Sequence, residues 1–191
     1  MDMNLLKKFS FKSSRLDIKV IDKSFDNKLL DYQLANKLHF NKVLFDLSDN
    51  FYSLDYQRNF IEHDLDNIIR GNAIRFYLFE HNSDIILGDI VYYNILPPPI
   101  SSALIGFKID GGKRNNGFMK EGIENTLNFV FNQLNLHKIE AYIFYDNIAA
   151  IQLINKIGFV DDGIAKSYVE IKGTWTDHNR YYLLNPNTNQ I

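Results

Sequence analysis

The stretch that most restricts how this chain can fold is Gly111-Gly112-Lys113-Arg114-Asn115-Asn116-Gly117, because of what stands on either side of it. Ala103 to Ile109, just before it, reads as a strand. After it, Met119, Ile123, Leu127, Val130, Phe131 and Leu134 fall on one stripe at helical spacing, which predicts an amphipathic helix packed on a core. Ile139 to Tyr145 is then apolar on both faces apart from Glu140, as expected of a central strand covered on both sides. A strand feeds the polar loop and a helix leaves it, so the fold must mix the two kinds of element.

The remaining segments agree. Arg15 to Ile21 alternates apolar and polar residues as a strand does, and a helical stretch follows from Asp26 to Leu38. Ser53 is the N-cap expected for a helix through Arg70, whose Leu54, Phe60, Ile61, Leu65, Ile68 and Ile69 recur at helical spacing before Gly71 stops it. Two strands, Ala73 to Phe79 and Ile85 to Ile95, are joined by the turn-like His81-Asn82-Ser83-Asp84. Pro97-Pro98-Pro99 marks a loop, because proline has no N–H to give a central strand. Asp146 or Asn147 caps a short helix containing Ala150, Leu153, Ile154 and Ile157, closed by Gly158. Phe159, Tyr168 to Lys172 and Tyr181 to Leu184 supply the last strands, with a turn at Trp175 to His178. The expected architecture is α+β, a mixed sheet with helices on both faces.

With 191 residues, 46% of them in the apolar set and 23% charged, the chain has material for one packed core, so residues 1–191 are read as a single domain. A net charge of −2 gives no long-range pull toward nucleic acid or anionic lipid. No apolar run reaches the ~18–20 residues of a membrane helix, and Met1 to Lys8 lacks the apolar stretch of a secretory signal. The absence of cysteine excludes disulfides, thiolate metal sites and a Cys nucleophile. A cytoplasmic protein without membrane, nucleic-acid or metal partners is expected.

The loop has a chemistry of its own. The first N–H groups of a helix have no intrahelical partner and favour an anion such as phosphate. Gly117 lets the backbone approach that anion closely, and Lys113 and Arg114 would add positive charge at the same mouth. The alternative is a plain polar turn before a surface helix. Gly117-Phe118-Met119 lacks the Gly-Lys-Ser/Thr ending of a P-loop, and the late position and glycine spacing do not fit a dinucleotide-binding βαβ unit.

Arg114-Asn115-Asn116-Gly117-Phe118-Met119 resembles the Arg/Gln-x-x-Gly-x-Gly/Ala acyl-coenzyme A loop of the GNAT N-acetyltransferases, and Glu121 follows where many members carry Glu. Leu136 to Ala141 and Asn147-Ile148-Ala149-Ala150…Lys156-Ile157-Gly158-Phe159 are similar to that family's next strand and its Asn-x-x-Ser/Ala…Lys-Leu-Gly-Phe helix. The opening Ser14 to Lys19 and the tail Gly163 to His178 resemble the Rim-type branch, the ribosomal-protein-alanine N-acetyltransferases. The likeness covers nearly the whole chain and is weakest between Asn27 and Asn72. It implies a sheet split into a V between two central parallel strands, with acetyl-coenzyme A in the gap and no metal. Carried over, Phe107, Lys108 and Ile109 would give main-chain hydrogen bonds to the pantetheine arm, with a backbone N–H near Phe107 for the thioester oxyanion. Arg114, Asn115, Asn116, Gly117, Phe118 and Met119 would hold the diphosphate, and Asn147, also readable as a simple N-cap, would reach the arm from the far side.

Direct attack on the thioester needs a neutral amine. About a quarter of an α-amine is neutral near pH 7.4, against about one lysine in a thousand, a gap of roughly 3 kcal/mol in favour of an N-terminal acceptor. Glu140, beside the V, is the first candidate for the base, its alternative role being a pair with a basic side chain; His137 and His178 are the other candidates. The family's proton donor to the leaving thiolate is a Ser or Tyr, but those positions hold Ala150 and Ile154. Water, another hydroxyl such as Tyr142, Tyr145 or Tyr168, or departure as thiolate would replace it. Asn115 stands where a second glycine is common. The resemblance therefore implies an acetyl-coenzyme A-dependent N-acetyltransferase for a protein or peptide N-terminus, monomeric or homodimeric. The alternatives are an enzyme for a small amine such as an antibiotic, or a catalytically weak acyl-coenzyme A-binding module.

Overall fold

The computed structural model describes residues 3–40 and 48–188. It opens with two short elements that the hydrophobic pattern does not announce, α1 (Met3–Lys8) and β1 (Ser10–Lys12), before β2 (Leu16–Lys19). The helical stretch expected over Asp26 to Leu38 is two helices, α2 (Asp26–Ala35) and α3 (Lys37–Phe40). Asn36 separates them, its amide Nδ2 donating to the Tyr32 carbonyl at 3.0 Å and to Asp110 Oδ2 at 2.8 Å. Such side-chain bonds to nearby backbone are how asparagine ends a helix. The next helix, α4 (Leu54–Arg70), has the predicted boundaries: Ser53 Oγ accepts the Tyr56 N–H at 3.3 Å, and Gly71 leaves it at φ 73°.

Then come β3 (Ile74–Glu80), β4 (Gly88–Leu96), β5 (Ser102–Ile109), α5 (Phe118–Gln133), β6 (Lys138–Phe144), α6 (Ile148–Ile157), β7 (Val160–Ile171) and β8 (Thr174–Leu184). These strands form one eight-stranded sheet in the order β1-β2-β3-β4-β5-β6-β8-β7. Every neighbouring pair is antiparallel except β5 and β6, which are parallel and connected through α5. The expected mixed α+β sheet with helices on both faces is what the chain forms.

One face lies under α5. Phe9, Phe11, Phe76 and Phe129 make a ring cluster there, with Phe11 stacked on Phe129 at 5.2 Å between centroids. Tyr92 and Thr126 share a buried hydrogen bond of 3.0 Å between β4 and α5. On the opposite face, α2 and α4 cover β2 to β4 and enclose a charged network. Arg75 donates to Asp64 at 2.8 Å and to Asp89 at 2.6 Å, and Lys108 bonds to Gln33 at 3.0 Å. With its charges paired, the network avoids the large cost of isolated buried ions.

Two expectations need correction. In β6, Ile139, Ala141 and Ile143 are buried, but Glu140, Tyr142 and Phe144 are only half-buried. The strand buries its α5 face, while Tyr142 and Phe144 on the other face keep part of their rings in contact with solvent. Trp175 to His178 is also not a turn: it lies in β8, and the reversal is at Lys172-Gly173, both at positive φ. Trp175 pairs with Glu170 and Thr176 with Val169 across the β7–β8 hairpin, satisfying backbone that a turn would expose.

Candidate active site

The site begins where a ladder stops. β5 and β6 pair at Ser102↔Lys138, Ala103↔Ile139 and Leu104↔Glu140 and no further. Beyond that point β5 stays with β4 as far as Ile109↔Gly88, and β6 stays with β8 as far as Phe144↔His178. The two strands are held by their outer neighbours and diverge, which is the V the resemblance implied. The Asp110 N–H points to β4, donating to the Leu87 carbonyl at 2.7 Å, while the Ser101 carbonyl points to β6, accepting from His137 at 2.6 Å. Main-chain groups alternate sides along a strand, so those of Ile105, Phe107 and Ile109 face the gap. Lys108 faces the other way: the Tyr32 hydroxyl lies 3.5 Å from its carbonyl. Its amine sits in the buried network, where burial lowers its pKa against the opposing pull of Asp89.

The loop above the gap is built from several directions. Asp110 caps the 3-10 turn Gly111–Lys113 by accepting the Gly112 N–H at 2.8 Å. Asn36 grips the same corner, donating to Asp110 and accepting the Gly111 N–H at 2.8 Å. Asn115 and Gly117 both lie at positive φ, 61° and 79°. Asparagine tolerates that region better than other side chains, so Asn115 serves where a glycine is common. Gly117 is the N-cap of α5 and has no capping side chain, leaving the first helical N–H groups uncapped. Arg114, Asn115, Asn116 and Gly117 are exposed, Phe118 is half-buried, and Met119 is anchored in the core. Lys113 is already engaged, at 2.7 Å from Glu80, so its charge is partly spent outside the mouth.

Arg15, from the β1–β2 turn, takes a place there instead. It donates from Nε to Glu121 Oε2 at 2.7 Å and from its backbone N–H to Oε1 at 2.8 Å. Its Nη1 donates to the Asn116 carbonyl at 3.0 Å, and its guanidinium lies 4.6 Å from the Phe118 ring centroid. Ser13 and Ser14 also donate to Glu121, at 2.7 and 2.9 Å. Burial pushes the Glu121 carboxyl up, but these donors more than offset it and bring it down to about 2.

Across the gap, Asn147 caps α6 by accepting the Ala150 N–H at 3.3 Å. Ala150 is half-buried and Ile154 wholly buried, and as an alanine and an isoleucine neither has a hydroxyl to offer. Below the point of the V, Tyr93, Leu104, Glu140 and Tyr182 are register partners on β4, β5, β6 and β8 and so share one face. Glu140 pairs with Lys138 at 2.9 Å. Tyr142 stacks on Tyr168 with 4.2 Å between centroids, and the buried His178 packs edge-on to Tyr168 at 5.7 Å. Burial, then Tyr142 and Glu140, raise the Tyr168 pKa, which keeps its proton on at neutral pH. Glu140, Tyr168 and His178 thus come together beside the split. His137 does not: it is tied to Thr188 at 3.0 Å at the far end of β6.

The sequence reading missed Arg15, Asn36 and Tyr93 as parts of this region. Only topology brings them in, since each lies in an element remote along the chain from the loop or strand it meets. Among the described residues no group of three or more His, Cys, Asp or Glu could hold a metal ion, and no helix is long and apolar enough to cross a membrane.

Comparison with known proteins places this geometry. Residues 28–180 match the family described as the acetyltransferase (GNAT) domain. A Bacillus subtilis (strain 168) protein named "Probable N-acetyltransferase YjcK" is 28% identical over 161 residues, covering 84% of this chain and 89% of its own length. The [ribosomal protein uS5]-alanine N-acetyltransferase of Escherichia coli (strain K12) is 26% identical over 117 residues, 61% of this chain and 60% of that one. The crystal structure of a ribosomal-protein-S5-alanine acetyltransferase from Vibrio fischeri superposes with a TM-score of 0.88 at 24% identity, over 95% of this chain and 99% of that one. With the family model spanning most of its length and the split sheet in place, the chain belongs to the GNAT acetyltransferases.

Proposed function

We propose that this protein moves an acetyl group from acetyl-coenzyme A to the α-amine at a protein or peptide N-terminus, working as one acetyltransferase unit over the whole chain. The observation that carries the reading is the β5–β6 ladder ending at Leu104↔Glu140, with Phe107 and Ile109 main-chain groups turned into the gap beneath an uncapped helix end. When bound, acetyl-coenzyme A supplies the thioester. The N–H groups around Asn116 to Met119 fit its diphosphate, and no Cβ at Gly117 obstructs them. Phe107 and Ile109 fit the pantetheine amides, with the Phe107 N–H aimed into the gap for the thioester oxygen. Asn147 closes the far side.

The acceptor enters the aromatic cleft of Tyr93, Tyr142 and Tyr168. Glu140, held by Lys138, takes the proton lost when the amine nitrogen bonds to the acetyl carbon, directly or through water. The carbon–sulfur bond breaks, and Tyr168, whose phenol keeps its proton, supplies one to the departing sulfur in place of the family's usual donor. His178 supports the Tyr168 ring. An α-amine suits so modest a base, because roughly 3 kcal/mol less deprotonation is required than for lysine. A cysteine-free chain using this donor fits a cytoplasmic enzyme.

Thiol release from acetyl-coenzyme A, followed with N-terminal peptides, lysine peptides with blocked N-termini and aminoglycosides, tests the reading. Turnover confined to free N-termini is expected; turnover of aminoglycosides alone would replace it with the small-amine reading. Glu140→Gln is expected to lower kcat/KM by about a hundredfold near pH 6, where few amines are neutral, and by less near pH 9. An unchanged pH profile removes Glu140 as the base.

A further inference from the structure

The β1–β2 turn is remote in sequence from the loop before α5, yet Ser13, Ser14 and Arg15 all donate hydrogen bonds to the start of that helix. Glu121 lies in the first turn of that helix. A free carboxylate there would repel the anion the helix end is built to receive. Its oxygens are instead occupied by four donors from Ser13, Ser14 and Arg15. The guanidinium also reaches past the carboxylate to the Asn116 carbonyl at 3.0 Å, and sits over the Phe118 ring, 4.6 Å from its centroid. In a trans peptide the carbonyl and the following N–H point in opposite directions. With the Asn116 carbonyl held by Arg15, the Gly117 N–H turns away from Arg15, toward the open mouth of the loop.

We infer that Arg15 is a positioning residue for the diphosphate: it cancels the Glu121 charge and, by holding the Asn116 carbonyl, sets the Asn116–Gly117 peptide so that its N–H faces the ligand. This rests on the acetyl-coenzyme A reading and adds to it a specificity, for donors that carry a diphosphate over those that carry only the pantetheine arm. One planar group must reach two acceptors at once, which a lysine ammonium cannot do in the same geometry.

Arg15→Lys keeps the charge beside Glu121 and gives up the bond to Asn116, so it is the primary variant, with Arg15→Ala as the stronger perturbation if it folds. Calorimetry with coenzyme A and competition with pantetheine, which has no diphosphate, measure the effect. Arg15→Lys is expected to weaken coenzyme A about tenfold and to shrink the preference for coenzyme A over pantetheine by a similar factor. A parallel loss for both ligands would mean general damage to the fold and would overturn the inference, as would an unchanged affinity for coenzyme A. Failure of the parent reading looks different: the unmodified protein would then take up no coenzyme A at all, and both proposals would fall.

Discussion

Gly122→Ala is a single-methyl test of how closely α5 lies on the sheet, and its sign discriminates. A Cβ at Gly122 would stand 2.8 and 3.0 Å from the Leu78 methyl carbons and 3.1 Å from Ile90 Cδ1. Ordinary carbon contacts are about 3.5–4.0 Å, so the gap falls short by several tenths of an ångström. Leu78 and Ile90 are fully buried, so their methyl ends have little room to turn aside, and either they or the helix must give way. Overpacking of this kind costs about 1–3 kcal/mol. Replacing glycine by alanine inside a helix returns about 1 kcal/mol of propensity. The net expectation is a loss of about 0–2 kcal/mol, or up to about 8 °C in Tm for a chain of this size. If α5 rode clear of β3 and β4, only the propensity gain would remain and the variant would be stabilised by about 1 kcal/mol. Urea unfolding at unchanged m-value measures the difference. Any stabilisation beyond error would refute the close packing of α5 on β3 and β4, on which the position of the loop before α5 depends. A lifted helix should also weaken coenzyme A, because Gly122 lies one residue beyond the Glu121 anchor.

Two further outcomes are expected. Arg75→Met leaves Asp64 and Asp89 without their shared partner and should cost about 3–5 kcal/mol, read as a thermal shift near 10 °C; a loss below about 1 kcal/mol would show that water reaches these carboxylates. Glu121 has its carboxyl depressed from 4.5 to about 2 in the folded protein, so its contribution is fully present above pH 4.5 and is lost as pH falls toward 2. The stability difference between wild type and Glu121→Gln should therefore narrow over that interval, by about 1–2 kcal/mol after screening by solvent. A difference independent of pH would show that the donors around Glu121 do not favour its charged form.

What the amino-acid order settled by itself was local. The Ser53 cap, the Gly71 and Gly158 stops and the stripe from Met119 to Phe131 are all decided within a few residues, by propensity, capping and the period of apolar side chains. The motif order from Arg114 to Phe159 carried the family likeness for the same reason. Tertiary structure decided the rest. Asn36 splits one predicted helix with an amide that donates both to the Tyr32 carbonyl one turn back and to Asp110 far along the chain, and only the second partner depends on the tertiary fold. Tyr142 and Phe144 read as core but are only half-buried, because an apolar ring fits either place and only the folded chain shows how far it is covered. Lys113 looked committed to the mouth of the loop, but Glu80 pairs with it. Arg15 gave no local sign of its role, since its partners Asn116 and Glu121 become neighbours only when β2 enters the sheet and α5 crosses it. Periodicity records which face of an element avoids water, whereas hydrogen-bond partners and the depth of a cleft are properties of pairs of elements that only the folded chain brings within reach.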